Sequence, residues 1–225
     1  MSKEPSKFWE RASEGLRLGD QEIESPLQLT PGWNESWIRD PKSILFILAR
    51  YKFVMKMLKT TDTVLEVGCG EGIGAQMIST RCSHYHGLDR HEKKIMRASE
   101  KAIGNQSFKT HDILDCTYPE KFDVVFSLDV IEHVYPEGQS LFIDNLCSSI
   151  KSGGILIIGS PSLESQEYAS TISKAGHVGC MSAETQHQLV ANRCTRVLSF
   201  SMNDEVVHTG FSRMSNYNLT IGFYV

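Results

Sequence analysis

The stretch Val64-Leu65-Glu66-Val67-Gly68-Cys69-Gly70-Glu71-Gly72 constrains this chain more than any other. An apolar run that stops on alternating glycines reads as a buried parallel strand that turns sharply at its C-terminal end. Glycine tolerates positive φ and lets backbone N–H groups reach a ligand with no Cβ in the way. A nucleotide-like cofactor is the usual ligand of such a turn. The spacing separates two classes of cofactor. A dinucleotide turn, G-x-G-x-x-G, starting at Gly68 needs glycine where the chain has Ile73, and starting at Gly70 it needs glycine where the chain has Ala75. An NAD-linked oxidoreductase is therefore disfavoured.

Four further segments follow in order. A helical stretch, Ala75–Arg81, leads into His84-Tyr85-His86-Gly87-Leu88-Asp89, a short strand closed by an acid. Asp89 lies 19 residues beyond Gly70, near the roughly 20-residue spacing at which a strand-end acid meets ribose hydroxyls. One carboxylate can accept from both hydroxyls of a diol; the other role open to Asp89 is N-cap of a helix starting near Glu92. Ser107–Ile113 ends in Asp112, with Asp115 as a rival acid. Val124–Leu128 reads as a central parallel strand, and beyond it stand Asp129, Glu132 and His133. Leu146–Ile150, Lys151–Gly154 and Ile155–Gly159 read as helix, turn and strand.

Glu66-x-Gly68-x-Gly70-x-Gly72 resembles the first motif of the class I S-adenosylmethionine (SAM) methyltransferases, and the later segments match that family in order over roughly Thr61–Pro161. Asp129-Val-Ile-Glu-His-Val134 is similar to the corresponding stretch of small-molecule O- and N-methyltransferases. Lys151-Ser-Gly-Gly154 resembles the family's Lys-Pro-Gly-Gly turn, with serine in place of proline. The resemblance implies an α/β, Rossmann-like doubly wound sheet of seven strands in order 3-2-1-4-5-7-6, the last antiparallel. It implies SAM as cofactor, with Glu66 ordering the loop and the ligand's amino group, Asp89 on the ribose and Asp112 on the adenine amino group. Contacts are expected from Gly68, Cys69, Gly70 and Gly72 in the turn, and from Arg90, Ile113 and Leu128 at strand ends.

The chain divides at about residue 60: an N-terminal lid and helix over 1–60, then a SAM-binding domain over 61–225 with a substrate-side insertion near 161–182. Residues 1–36 show no clear periodicity; Asp40-Pro41 reads as an N-cap with proline at the first helical position, opening an apolar helix to about Lys59. In the family, the segment before the glycine strand commonly forms a lid. Phe8, Trp9, Trp33 and Trp37 would then cover the site, the alternative being that the two later tryptophans cover the outside of the sheet. Tyr51 would reach cofactor or substrate, and Arg39 or Arg50 would pair with the cofactor's carboxylate. Ala183–Asn192 reads as a helix, and Thr195–Met202 and Ser215–Val225 as closing strands.

Methyl transfer from a sulfonium is an in-line displacement. It needs nucleophile and methyl held in line, a destination for any proton, and exclusion of water. His133, after the fourth strand, is the first candidate base, since imidazole titrates near neutrality; its alternative role is packing beneath the crevice. His177 is the second, in a loop, Ala175–Glu184, that resembles a substrate-side loop of sugar and quinone methyltransferases. Asn203, Glu205 and His208 form either a solvated hairpin or an acceptor-binding loop. The expected acceptor is a small polar molecule methylated on oxygen or nitrogen, such as a sugar or phosphorylated intermediate of surface-glycan or secondary-metabolite synthesis. Alternatives are quinone or phenol O-methylation, and a non-catalytic SAM-binding regulator.

Composition excludes little else. A net charge of −4 argues against a nucleic-acid partner, and no apolar run is long enough for a bilayer. Six cysteines without a C-x-x-C pair suggest neither disulfides nor zinc, and no metal site is assigned. A cytoplasmic monomer or homodimer is expected.

Overall fold

The computed structural model describes residues 29–225, so the part of the expected lid that holds Phe8 and Trp9 lies outside the described residues. The central feature is a mixed sheet of eight strands in spatial order β3-β2-β1-β4-β5-β8-β6-β7. The parallel part consists of β1 (Thr63–Val67), β2 (His84–Asp89), β3 (Gln106–Thr110), β4 (Phe122–Leu128) and β5 (Ile150–Pro161). On the far side β8 (Tyr217–Phe223) runs antiparallel to both β5 and β6 (Arg196–Asn203). This is the expected order with one correction. A short eighth strand, β7 (Val206–His208), folds back on β6 through a two-residue turn with Asp204 at φ 54°.

Alternation along the strands feeds two cores. Leu65, Val125, Leu156 and Ile158 point to one face, under α5 (Pro136–Cys147) and α7 (Ala183–Ala191). Val64, Val124, Phe126 and Ile157 point to the other, under α2 (Lys42–Lys56) and α3 (Ile73–Ile78). Both faces are covered, so the central strands are largely apolar, with Glu66 and Ser127 as buried exceptions. α4 (Glu92–Glu100) packs on β2 and β3, burying Ile95 and Ala98.

Three local expectations need correction. Lys151–Gly154 is no free turn: Ile150 pairs with Phe122 and pairing resumes at Val124–Ile155, so the four residues bulge within β5, with Gly153 at φ 78°. The helix before it ends at Cys147. Residues 31–39 form a helix, α1 (Pro31–Arg39), that buries no side chain; Trp37 is more than half exposed, so it covers no sheet. Among the described residues no helix is long and apolar enough to cross a membrane.

Candidate functional site

The site is built where β1, β2 and β4 end. After Val67 the chain turns through Gly68, Gly70 and Gly72, all at positive φ. At Gly68 (φ 86°) a Cβ would stand 2.1 Å from Val130 Cγ2, so only glycine lets the segment after β4 lie against the turn. The amides of Gly68 and Cys69 donate to the carbonyl of Leu88 at 2.7 and 2.9 Å, which fastens the turn to β2. Asp89, 7 % exposed at the end of β2, accepts from Gly70 N at 3.0 Å and from His91 N at 2.8 Å.

A cavity of about 500 Å³ opens beside this turn, lined among others by Gly68, Gly70, Asp89, Arg90, Asp112 and Ile113, and its size suits a nucleotide-like ligand. Its residues fit an adenosyl group. Asp89 spends one acceptor position per oxygen on backbone amides, which leaves lone pairs for a diol, and a Cβ at Gly70 would meet nothing within 4 Å. Asp112 lines the cavity and Asp115 does not. Cys69, Gly72 and Leu128, expected as contacts, are not among the lining residues.

Glu66, 1 % exposed, is also absent from the cavity lining. Tyr51 donates to its Oε1 at 2.7 Å and Tyr85 donates to its Oε2. Tyr51 is therefore a buried partner of Glu66 and lines no described cavity. Burial holds the Glu66 carboxyl up at about 7, against the two tyrosine donors and with the charges of Asp89 and Asp129 adding to the rise. Both oxygens of the acid are thus taken by tyrosines, while the glycine turn is fastened through Leu88 and Asp89.

Next to it, β4 ends in Asp129 at φ 58°. Arg50 Nη1 from α2 reaches both carboxylate oxygens at 2.7 and 2.8 Å, and its guanidinium lies 3.9 Å from the centre of the Tyr217 ring. Arg50 is thus engaged by Asp129; Arg39 pairs with Glu35 on the surface of α1. Sequence reasoning singled out Arg50 for a cofactor carboxylate and had no signal for Tyr217. Buried Arg50 Nε, Tyr217 Oη and Glu132 Oε2 lack a hydrogen-bond partner among the described residues.

Beyond Asp129 a 3₁₀ turn, Ile131–His133, is tied to the loop 176–181. Gly179 N donates to Glu132 O at 2.8 Å, and Gln139 Nε2 donates to Gly179 O at 2.6 Å. A Cβ on Gly179 would lie 2.1 Å from Val134 O, so the loop can approach this closely only with glycine there. The tie brings His133 and His177 together, ring centres 5.3 Å apart. His133 Nδ1 sits 2.8 Å from Gly176 O and His177 Nδ1 sits 2.9 Å from Gln166 Oε1. Burial, with the neighbouring His133, pulls the His177 imidazole below its ordinary value. Glu132 is 1 % exposed, and burial raises its carboxyl well above the usual range, the charge of Asp129 adding to the effect.

His133 and Gly176 line the first cavity, while His177 lines a second one of about 540 Å³ with Glu164, Gln166, Tyr168, Arg213 and Asn216. The histidine pair thus places one ring in each cavity, and the two linings share no residue. Asn203, Glu205 and His208 line neither; they lie on the β6–β7 hairpin, where Asn203 Nδ2 is 3.3 Å from His208 Nε2 and Asn203 Oδ1 accepts from Asn216 N at 3.2 Å.

The raised carboxyl of Glu66 has a measurable consequence. Between the ordinary value of 4.5 and about 7, the folded chain keeps a proton that the unfolded chain releases, so this contribution to stability is full below 4.5 and is lost as pH rises to 7. The slope corresponds to about 3 kcal/mol over that interval at 1.36 kcal/mol per unit. Denaturant unfolding of wild type and Glu66→Gln should give curves that diverge on acidification through this window, wild type gaining stability; parallel curves would refute the assignment.

Comparison with known proteins agrees with this geometry. Residues 58–204 match a family model described as a methyltransferase domain. Phosphoethanolamine N-methyltransferase 1 of Triticum aestivum is 34% identical over 136 residues, 56% of this chain and 27% of that protein. Ubiquinone biosynthesis O-methyltransferase of Nitrobacter winogradskyi is 26% identical over 118 residues, 51% of this chain and 44% of that protein. The chain thus spans less than half the length of these curated relatives. The crystal structure of N-methyltransferase NodS from Bradyrhizobium japonicum, in complex with S-adenosyl-L-homocysteine, superposes with a TM-score of 0.59 at 22% identity, over 80% of this chain and 87% of that one. The chain belongs to the methyltransferase-domain family, with the class I fold whose cofactor is S-adenosylmethionine.

Proposed function

We propose that the chain transfers the methyl group of SAM to an oxygen or nitrogen of a small polar acceptor. The observation that carries this reading is the adjacency of His133 and His177, one lining each of two cavities, with ring centres 5.3 Å apart. The first holds Asp89, Arg90, Asp112 and Ile113 for the ribose and adenine, which directs the other end of SAM toward Gly68 and His133. The second is rich in polar side chains, among them Glu164, Gln166, His177, Arg213 and Asn216, which favours a polar acceptor. In the transfer the acceptor's lone pair forms the new bond to the methyl carbon and the carbon–sulfur pair stays on sulfur. Any acceptor proton leaves at the histidine pair. The phosphoethanolamine N-methyltransferase relative supports a small phosphorylated amine or alcohol as the kind of acceptor.

The carbonyl of Gly176 can only accept, so His133 Nδ1 carries a hydrogen, and in the neutral ring Nε2 presents a lone pair. His133→Ala should lower turnover by roughly 10²–10⁴-fold with little change in SAM affinity. The hairpin residues Asn203, Glu205 and His208 would act only if a large acceptor extends from the second cavity toward the sheet edge. A quinone acceptor has one observation in its favour: Tyr168 and Met214, both largely exposed, flank the second cavity.

Two measurements test the reading. Release of S-adenosylhomocysteine against a panel of amino alcohols, phosphorylated amines, sugars and quinols should show turnover with polar acceptors; turnover with quinols alone would overturn it. SAM binding with no turnover on any acceptor would favour the regulatory alternative. Asp89→Ala should weaken SAM binding by roughly ten- to a hundred-fold, the value of one charged hydrogen-bonding group, as read by calorimetry; an unchanged dissociation constant would remove Asp89 from the site.

A further inference from the structure

Glu132, His133 and His177 offer a carboxylate and two imidazoles whose ligating atoms all lie within 4.8 Å of one another. Three features distinguish this cluster from a chance meeting of polar side chains. Glu132 is almost wholly buried, and its Oε2 has no hydrogen-bond partner among the described residues. A buried carboxylate oxygen without a donor is costly unless a proton or a cation meets it. Local charge does not settle the cost, because Asp129 adds a second negative charge nearby and Arg50, the cation on this side, is already bound by Asp129 through both carboxylate oxygens.

The second feature is the state of the rings. His133 Nδ1 donates to Gly176 O, which leaves Nε2 as the acceptor nitrogen, 3.9 Å from Glu132 Oε1. Gln166 Nε2 donates to Ser162 O at 3.1 Å, so its Oε1 is fixed as the acceptor facing His177 Nδ1. His177 must then donate from Nδ1 and carry its lone pair on Nε2. Both rings are thus anchored through one nitrogen to an amide oxygen, which leaves the other free to ligate. Outer partners of this kind typically orient histidine ligands to metals.

The third feature is position. His133 lines the donor cavity and His177 the second cavity, so a ligand held between them touches both.

We propose that Glu132, His133 and His177 form a binding site for a divalent transition-metal cation, of the Mn²⁺ or Zn²⁺ class, that holds an oxygen of the acceptor between the two cavities. Two imidazoles and one carboxylate suit such a cation and leave coordination positions open. Bonds of about 2.1 Å require ligand atoms roughly 3–3.5 Å apart, a closure within reach of side-chain rotation at the part-exposed histidines. The inference rests on the reading that the acceptor meets the methyl group at the histidine pair. With the cation bound, the histidine nitrogens ligate it in place of accepting the acceptor's proton. A hydroxyl proton then departs to water, the metal-held oxygen supplies the pair for the new carbon–oxygen bond, and lost turnover in His133→Ala reports the lost ligand.

The test titrates the full chain, cleared of metal with a chelator, with Mn²⁺ followed by electron paramagnetic resonance and with Co²⁺ followed by visible absorption. Neither donor nor acceptor is present, so the result is independent of whether the chain methylates a polar acceptor. Wild type should bind one equivalent, and His177→Ala and Glu132→Gln should weaken binding at least tenfold. His187→Ala, on an exposed ring paired with Ser199, should bind as wild type. S-adenosylhomocysteine binding checks that each variant is folded, and His177→Ala carries the test if Glu132→Gln fails this check. Absence of saturable binding, or equal binding by His177→Ala, would overturn the site. If the cation binds but chelation leaves turnover unchanged, the acceptor-holding role is overturned.

Discussion

The way the chain leaves its two central strands determines the rest of the site. β1 ends in Gly68 at φ 86° and β4 ends in Asp129 at φ 58°. Left-handed backbone suits glycine, whereas a residue with a Cβ pays roughly 1–2 kcal/mol for it. Asp129 is held there by Arg50, by the Tyr217 ring beneath that guanidinium, and by its own amide, which donates to Gly159 O at 3.0 Å. α2, β4, β5 and β8 therefore converge on one residue. With both chains turned away from the strand line, a crevice opens above the sheet edge, as is usual at a switch point in a doubly wound fold.

The crevice explains why so few side chains are needed for the chemistry. A sulfonium is already a good leaving group, and good orientation can supply about 7–11 kcal/mol against about 3–5 kcal/mol from a positioned base. Most of the buried polar structure accordingly serves position. Glu66, buried in β1, is bound by two tyrosines. Gln139 joins the 131–134 turn to Gly179, and Gly176 orients the His133 ring.

Much of this was legible in the sequence where a backbone demand dictates residue type. Glycines at 68, 70 and 72 suit positive φ, and apolar runs at 64–67 and 124–128 suit burial on both faces, so the two central strands and the turn were legible in the residues. The strand order came from the family resemblance and lacked the short β7. Asp89 is not the N-cap of the helix at Glu92, where His91 stands without a side-chain cap bond; it accepts from His91 N before the helix and lines the cavity. What was not legible depends on pairing across the fold. The bulge at 151–154 exists because β5 must rejoin β4 out of step. α1 buries nothing, so no periodicity marked it. Glu132 and Tyr217 gain meaning only from neighbours distant in sequence, and Tyr51 gave no sign that Glu66 would be its partner.

The most direct measurement is a crystal structure of the full chain with bound S-adenosylhomocysteine. The account predicts ribose hydroxyls on Asp89, the adenine beside Asp112 and Ile113, and the sulfur turned toward His133 and the second cavity. A sulfur that faces away from His133, or a ligand bound outside the cavity at Gly68 and Asp89, would contradict it.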